Sequence, residues 1–133
     1  MKYLLDTNVC VEALRQRNQN IITRLATTAL ADKFLCPIVQ AELYFGAYKS
    51  RNPANLLQVQ VFIAHFQTLP FDRAAAQKFG EIRAELQRQG RVIGPYDLQI
   101  AAIAQAHGAT LVTHNTTEFS RIAGLLLEDW QIP

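Results

Sequence analysis

Short β-type runs recur along the chain with helical segments between them, and this alternation constrains the fold more than any other feature. The runs are Tyr3-Leu4-Leu5, Phe34-Leu35-Cys36, a weak Thr68-Leu69-Pro70-Phe71, and Thr110-Leu111-Val112-Thr113, the clearest of them. Between them, Asn20 to Ala31, Pro37 to Lys49, Pro53 to Phe66, Asp72 to Gln89 and Tyr96 to His107 carry helix formers with apolar positions at i, i+3 and i+4. Gly90 and Gly108 fall just past the last periodic residue of two of these segments, and Asp72 stands where a helix start needs a cap. Parallel neighbours need a crossover of helical length, so the pattern predicts an α/β fold with a mostly parallel central sheet flanked by helices.

A single domain over residues 1–133 is expected, because two separate cores in a chain this short would each bury too little to offset backbone entropy. With 50% hydrophobic and 18% charged residues, extensive disorder is not expected. No repeat or linker interrupts the pattern, and Gly94-Pro95 is the only strong break in the second half. The formal net charge of +2 is compatible with a polyanionic partner but far too small to announce one. Cys10 and Cys36 sit in apolar runs without a CxxC or a histidine at ligand spacing, and are read as buried thiols suited to a reducing cytosol. The chain meets Asp6 before an apolar segment of export length develops, and no apolar stretch is long enough to span a bilayer. No membrane segment and a cytoplasmic location are therefore expected.

Three carboxylates stand in apolar company. Asp6 is the only charged residue between Lys2 and Glu12 and follows the first strand directly, so it belongs at that strand's carboxyl end, where open parallel sheets bind ligands. An aspartate capping the helix that begins near Asn8 explains the same position equally well. Glu42 is the only charge between Lys33 and Lys49 and shares a helical stripe with Ile38, Phe45 and Gly46. Asp97 enters the first turn of a helix just after Gly94-Pro95, where an acid complements the helix dipole whatever its chemistry. The set carries more weight than any member. Each acid opens or interrupts an apolar helix, and none has a basic partner in its own segment. Carboxylates converging in one cleft raise one another's pKa unless a cation balances them, and Mg²⁺ or Mn²⁺ is the hard cation that oxygen ligands select. Phosphodiester hydrolysis uses such a centre.

These residues resemble the PIN-domain family, and within it the VapC-type toxins. Leu4-Leu5-Asp6-Thr7-Asn8 resembles the opening strand and first acid, Ala41-Glu42-Leu43 the second acid, and Gly94 to Ala102 the third. Ala109 to Phe119 is similar to the fourth strand and its loop, and Gly124 to Trp130 to the closing segment. The resemblance spans essentially the whole chain. It implies a PIN-like fold and metal-dependent endonucleolytic cleavage of RNA by an activated water. It also implies a toxin held inactive by a cognate VapB-like antitoxin, and a homodimer.

On this resemblance the catalytic acids are Asp6, Glu42, Asp97 and Glu118, with Asp6 and Asp97 as direct metal ligands. The fourth acid departs from the family pattern: the run is Thr113-His114-Asn115-Thr116-Thr117-Glu118, so Glu118 supplies the carboxylate from a turn further on, or Asn115 takes the place as a neutral oxygen. Thr7, Asn8, Thr113 and Asn115 are candidates for holding water or orienting the acids. Arg91, in the loop leading to Asp97, is the candidate phosphate contact, whereas Arg83 alternates with Glu81 and Glu85 on a solvated face. His114, His65 and His107 show no ligand spacing; Tyr44, Phe45 and Tyr48 are of the type that stacks bases but at these spacings read as core or interface residues; Glu128 and Asp129 are expected to face solvent. The helices at Pro37 to Lys49 and Pro53 to Phe66 carry more apolar residues than one buried stripe needs, which suits a partner surface. Two rival readings remain. A receiver-like phosphoacceptor would open with paired acids and place a lysine after a late strand, which this chain does not; a degenerate PIN scaffold that only binds RNA or protein fits the displaced fourth acid.

Overall fold

In the computed structural model, which describes residues 1–133, five parallel strands form one sheet in the order β3-β2-β1-β4-β5. They are β1 (Tyr3–Leu5), β2 (Lys33–Leu35), β3 (Gln67–Thr68), β4 (Thr110–Val112) and β5 (Leu127–Glu128). The helices are α1 (Thr7–Arg15), α2 (Gln19–Thr27), α3 (Pro37–Ser50), α4 (Pro53–Ala64), α5 (Arg73–Arg88), α6 (Pro95–Ala106) and α7 (Thr116–Phe119). The α/β architecture read from the alternation is the one observed.

Local chemistry starts most of these helices. Pro37, Pro53 and Pro95 each occupy the first turn of their helix, where the missing N–H costs nothing. Asn18, Asn52 and Asp72 cap α2, α4 and α5 through side-chain oxygens that accept backbone N–H groups. The helix expected to run to Ala31 stops at Thr27. Thr28 turns extended, its hydroxyl donates to the Arg24 carbonyl at 2.6 Å, and a 3-10 turn at Leu30–Asp32 then feeds β2. The weak third strand is shorter than expected, because Pro70 has no N–H to extend a ladder.

The sheet is buried on both faces, as Leu4, Leu5, Leu35, Leu111 and Val112 have no exposed surface. Helix α6 is central: Leu98 and Ile100 to Ala104 are all buried, which is why its apolar residues surround it rather than line one stripe. These residues join one apolar cluster that extends from Leu4 to Trp130.

The closing segment corrects one expectation. Leu127–Glu128 adds a fifth strand, with the Leu111 and Thr113 N–H groups donating to the Leu126 and Glu128 carbonyls at 2.8 and 2.9 Å. Glu128 and Asp129 do not simply face solvent. Glu128 Oε1 accepts from Arg24 at 2.7 Å and from the Trp130 indole at 3.0 Å, while Arg24 lies over the buried Trp130 ring. Asp129 accepts from the Gln131 N–H at 2.9 Å and sits 2.9 Å from His114 Nδ1. A buried tryptophan needs a partner for its N–H, and this clasp supplies one.

Candidate active site

The strand order reverses at β1, which has β2 on one side and β4 on the other. In open α/β sheets a crevice opens at such a point beyond the carboxyl ends of the strands. Leu5 pairs with Val112, so one further residue on each strand sets Asp6 beside Thr113. The Asp6 N–H donates to the Val112 carbonyl at 2.9 Å, and the Thr113 hydroxyl donates to Asp6 Oδ2 at 2.8 Å. The other carboxylate oxygen caps α1, accepting the Thr7 N–H at 2.8 Å. Capping and site roles therefore coexist, since a carboxylate has about four lone-pair positions and these bonds use two.

Two helices bring further acids. Glu42, half-buried on α3, accepts the Thr7 hydroxyl at 3.0 Å, so a single threonine couples the start of α1 to α3. Asp97 lies half-buried in the first turn of α6. On α7, Glu118 Oε2 accepts from the Asn115 amide at 3.1 Å, and the Asn115 N–H donates to the Thr113 hydroxyl at 3.0 Å. Asn115 thus steadies Glu118 and, through Thr113, Asp6.

The electrostatics tie the four acids together. Burial pushes the Asp97 carboxyl up to about 6, helped in turn by the negative charges of Asp6, Glu118 and Glu42. Burial also raises Asp6; the Thr113 and Thr7 hydrogen bonds oppose that rise, and Glu118 adds to it. None of the ion pairs in the molecule involves Asp6, Glu42, Asp97 or Glu118. The negative charge is uncompensated by protein. Beneath it Cys10 and Cys36 are free and buried, as expected; burial raises the Cys36 thiol to about 11 and Cys10 well above its usual range, so both stay protonated.

No three His, Cys, Asp or Glu side chains close into a ready metal cage. A hard cation does not need such a cage, since it is held by one or two carboxylates and keeps water in its remaining positions. The donor set at the strand ends is all oxygen and carries excess negative charge, so Mg²⁺ or Mn²⁺ fits it.

Other residues singled out in the sequence lie apart or on the rim. Asn8 is exposed on α1. Arg91 is exposed in the loop between α5 and α6, where it lines, with Arg83 and Leu98, a cavity of about 280 Å³ that none of the four acids borders. His114 is turned toward Asp129, and His65 and His107 face the Val61 and Pro70 carbonyls. Phe45 and Tyr48, expected in a core or interface, are exposed on the isolated chain. Sequence reasoning missed Tyr96, exposed beside Asp97; only its neighbour in sequence hinted at it.

Comparison with known proteins adds an independent line. Residues 3–125 match the family described as PIN domain. The chain is 39% identical over 131 residues to the tRNA(fMet)-specific endonuclease VapC of Shigella flexneri, with 98% of each chain covered. It is 41% identical over 133 residues to the protein of the same name from Salmonella typhimurium, again covering 98% of each. Among solved structures, it superposes with a TM-score of 0.92 and 40% identity on a chain of DNA-bound VapBC from Salmonella typhimurium, covering 98% of both. Against VapBC2 from Rickettsia felis, bound to a DNA fragment from their promoter, the TM-score is 0.90 at 37% identity, covering 98% of this chain and 99% of that one.

Proposed function

Because this chain belongs to the PIN-domain family, and within it to the VapC-type toxin ribonucleases of toxin–antitoxin systems, we propose that Asp6, Glu42, Asp97 and Glu118 are its catalytic acids. Asp6 and Asp97 are the direct ligands of Mg²⁺ or Mn²⁺. One observation carries this reading: Asp6, Glu118 and Glu42, each from a different part of the chain, come close enough to half-buried Asp97 that their charges add to the rise burial imposes on it, and no basic side chain pairs with any of the four. A divalent cation bound there supplies Lewis acidity toward water and a phosphate oxygen.

The chain's own part is positional. Thr113 and the Thr7 N–H hold both Asp6 oxygens in place. The Thr7 hydroxyl fixes Glu42, and Asn115 fixes Glu118, so that these two complete the oxygen shell or orient the attacking water. We assign the fourth acid's place to Glu118, whose charge reaches both Asp6 and Asp97, with Asn115 as the neighbour that holds it. Exposed Asn8 is left free to hold water at the rim, and Arg91 to meet a phosphate further along the RNA.

The names of the relatives suggest the target and the partner. A transfer RNA is the proposed substrate, since the Shigella and Salmonella proteins are tRNA(fMet)-specific endonucleases. A VapB-like antitoxin is the proposed inhibitor, since similar chains are found in VapBC assemblies. An apolar groove of about 580 Å³, lined by Leu14, Leu25, Leu57, Val61, Phe62 and Phe66, suits an amphipathic antitoxin helix. Tyr48, exposed on α3 outside this groove, suits a homodimer contact. No helix is long and apolar enough to cross a membrane, and the proposed tRNA substrate supports a cytoplasmic location.

The test is cleavage of a purified tRNA pool, with the cut sites mapped on sequencing gels. Discrete Mg²⁺-dependent cuts are expected, abolished by chelation and by Asp6→Asn or Asp97→Asn. A variant of either residue that keeps the parent circular dichroism spectrum and the parent cleavage rate overturns the site assignment.

A further inference from the structure

A cavity of about 530 Å³ is lined by Thr7, Ile38, Ala41, Glu42, Phe45 and Tyr96, and so is bordered by one of the four acids and by the residue next to a second, Asp97. One wall is the proposed site itself, because Thr7 holds Glu42 through its hydroxyl at 3.0 Å. The opposite wall is aromatic. Phe45 is 67% exposed and Tyr96 62% exposed, although large rings of this kind are ordinarily far more covered. Their placement follows from the helices. Phe45 lies three residues after Glu42 on α3, one turn along the same face. Tyr96 immediately precedes Asp97 in the first turn of α6. Helices α3 and α6 therefore each present an acid and an exposed ring. Lys49 Nζ lies over the Phe45 ring, 5.9 Å from its centroid, and makes no ion pair, so one face of the ring already carries a cation with no carboxylate partner.

We infer that Phe45 and Tyr96 form a stacking subsite for one unpaired nucleobase adjoining the scissile phosphate, with Lys49 meeting the next phosphate along the strand. The inference rests on the ribonuclease reading of the four acids. Unpaired RNA is bound by splaying bases onto aromatic side chains, whereas a base inside a duplex keeps its faces covered by its neighbours. The remaining lining, Ile38 and Ala41, is apolar and offers no side-chain donor or acceptor to a base edge. The subsite thus demands a free base without specifying which one, and steers cleavage to loops and single strands. Stacking of this kind changes binding by roughly 5- to 150-fold per base.

The experiment couples the protein change to the RNA change. A short single-stranded RNA is cleaved under single-turnover conditions, alongside copies carrying an abasic nucleotide on one side or the other of the cut bond. The enzymes are the full-length parent, Phe45→Leu, Tyr96→Leu, Tyr96→Phe and Asp97→Asn. Both rings are mostly exposed, so thermal melts of the leucine variants are expected to match the parent. In the parent, one abasic position is expected to lower the second-order rate constant roughly 5- to 150-fold. Each leucine variant is expected to lose a comparable factor on intact RNA and little more on abasic RNA, while Tyr96→Phe keeps the parent behaviour. Parent-rate cleavage by the leucine variants overturns the inference, as does an equal loss on intact and abasic RNA. Weakened dimer or antitoxin binding without coupling to the abasic site also overturns it, and makes this face a protein interface. The Asp97→Asn arm separates the two layers: if it cleaves like the parent, the acid assignment fails, whereas an inactive Asp97→Asn together with a parent that shows no abasic coupling sinks the stacking subsite alone.

Discussion

Thr113→Val removes one hydroxyl from the buried side of the site and leaves the shape of the side chain nearly unchanged. Thr113 has no exposed surface, and its hydroxyl both donates to Asp6 Oδ2 at 2.8 Å and accepts the Asn115 N–H at 3.0 Å. A hydrogen bond to a charged group contributes about 1.5–3 kcal/mol, and the lost bond leaves an Asp6 oxygen that is 6% exposed at the residue level without its partner. Asn115 is exposed, so water replaces its lost acceptor at small cost. The extra buried methyl returns about 0.8 kcal/mol. A net destabilisation of about 1–2 kcal/mol at neutral pH follows, read as a lower midpoint in urea unfolding with an unchanged slope. Near pH 4 the deficit is expected to shrink, because Asp6 is raised and a protonated carboxyl loses only a neutral hydrogen bond. The same change removes the strongest influence holding Asp6 down, so its carboxyl rises further. A cation must then displace a more tightly held proton, and the acid limb of the pH–rate profile moves to higher pH. Thr113→Ser keeps the hydroxyl and is expected to retain the parent limb. If Thr113→Val matches Thr113→Ser in both stability and acid limb, the hydroxyl does not orient Asp6 and the reasoning is refuted.

Two further predictions concern the charge cluster. Between its ordinary value of 3.8 and about 6, Asp97 binds more proton in the folded than in the unfolded chain, so metal-free stability falls as pH rises through that window. A rise of this size is worth at most about 3 kcal/mol, and screening at a half-exposed carboxyl leaves on the order of 1 kcal/mol, which Asp97→Asn is expected to recover above about pH 6 in chelator; a variant no more stable there than the parent refutes the repulsion. Glu42→Gln keeps an acceptor for Thr7 but removes one charge, and is expected to slow cleavage roughly 10- to 100-fold while raising the metal-free melting temperature slightly. A fall in that temperature with unchanged cleavage would instead make Glu42 a structural acceptor only.

Much of the site was legible because isolation is a local property. Asp6, Glu42 and Asp97 stand out as lone charges in apolar runs, and burial of such charges without partners demands an explanation. The fourth acid was ambiguous for a converse reason. Thr113 to Glu118 is polar throughout, so nothing in its pattern separates Asn115 from Glu118, and what the fold adds is that the short helix α7 carries Glu118 within hydrogen-bond reach of the Asn115 amide. Helix α3 has apolar residues on most sides, so periodicity could not say that Phe45 and Tyr48 are exposed while Val39, Leu43 and Ala47 are buried.

By itself the sequence determined the α/β alternation, the helix starts at Pro37, Pro53 and Asp72, the buried thiols and the identities of the isolated acids. These rest on near-neighbour chemistry: caps, proline geometry and apolar period act over a few residues. Only the tertiary structure decided that β5 exists, since Leu127–Glu128 is too short to carry a period and becomes a strand by pairing with β4. The closing clasp of Arg24, Glu128 and Trp130 has the same origin. Strand register likewise set Thr113 beside Asp6 across more than a hundred residues of chain, and helix packing set two exposed rings on one cavity with Glu42. Such pairings depend on which distant segments share a sheet, and that is settled by burial of the whole core rather than by any local stretch.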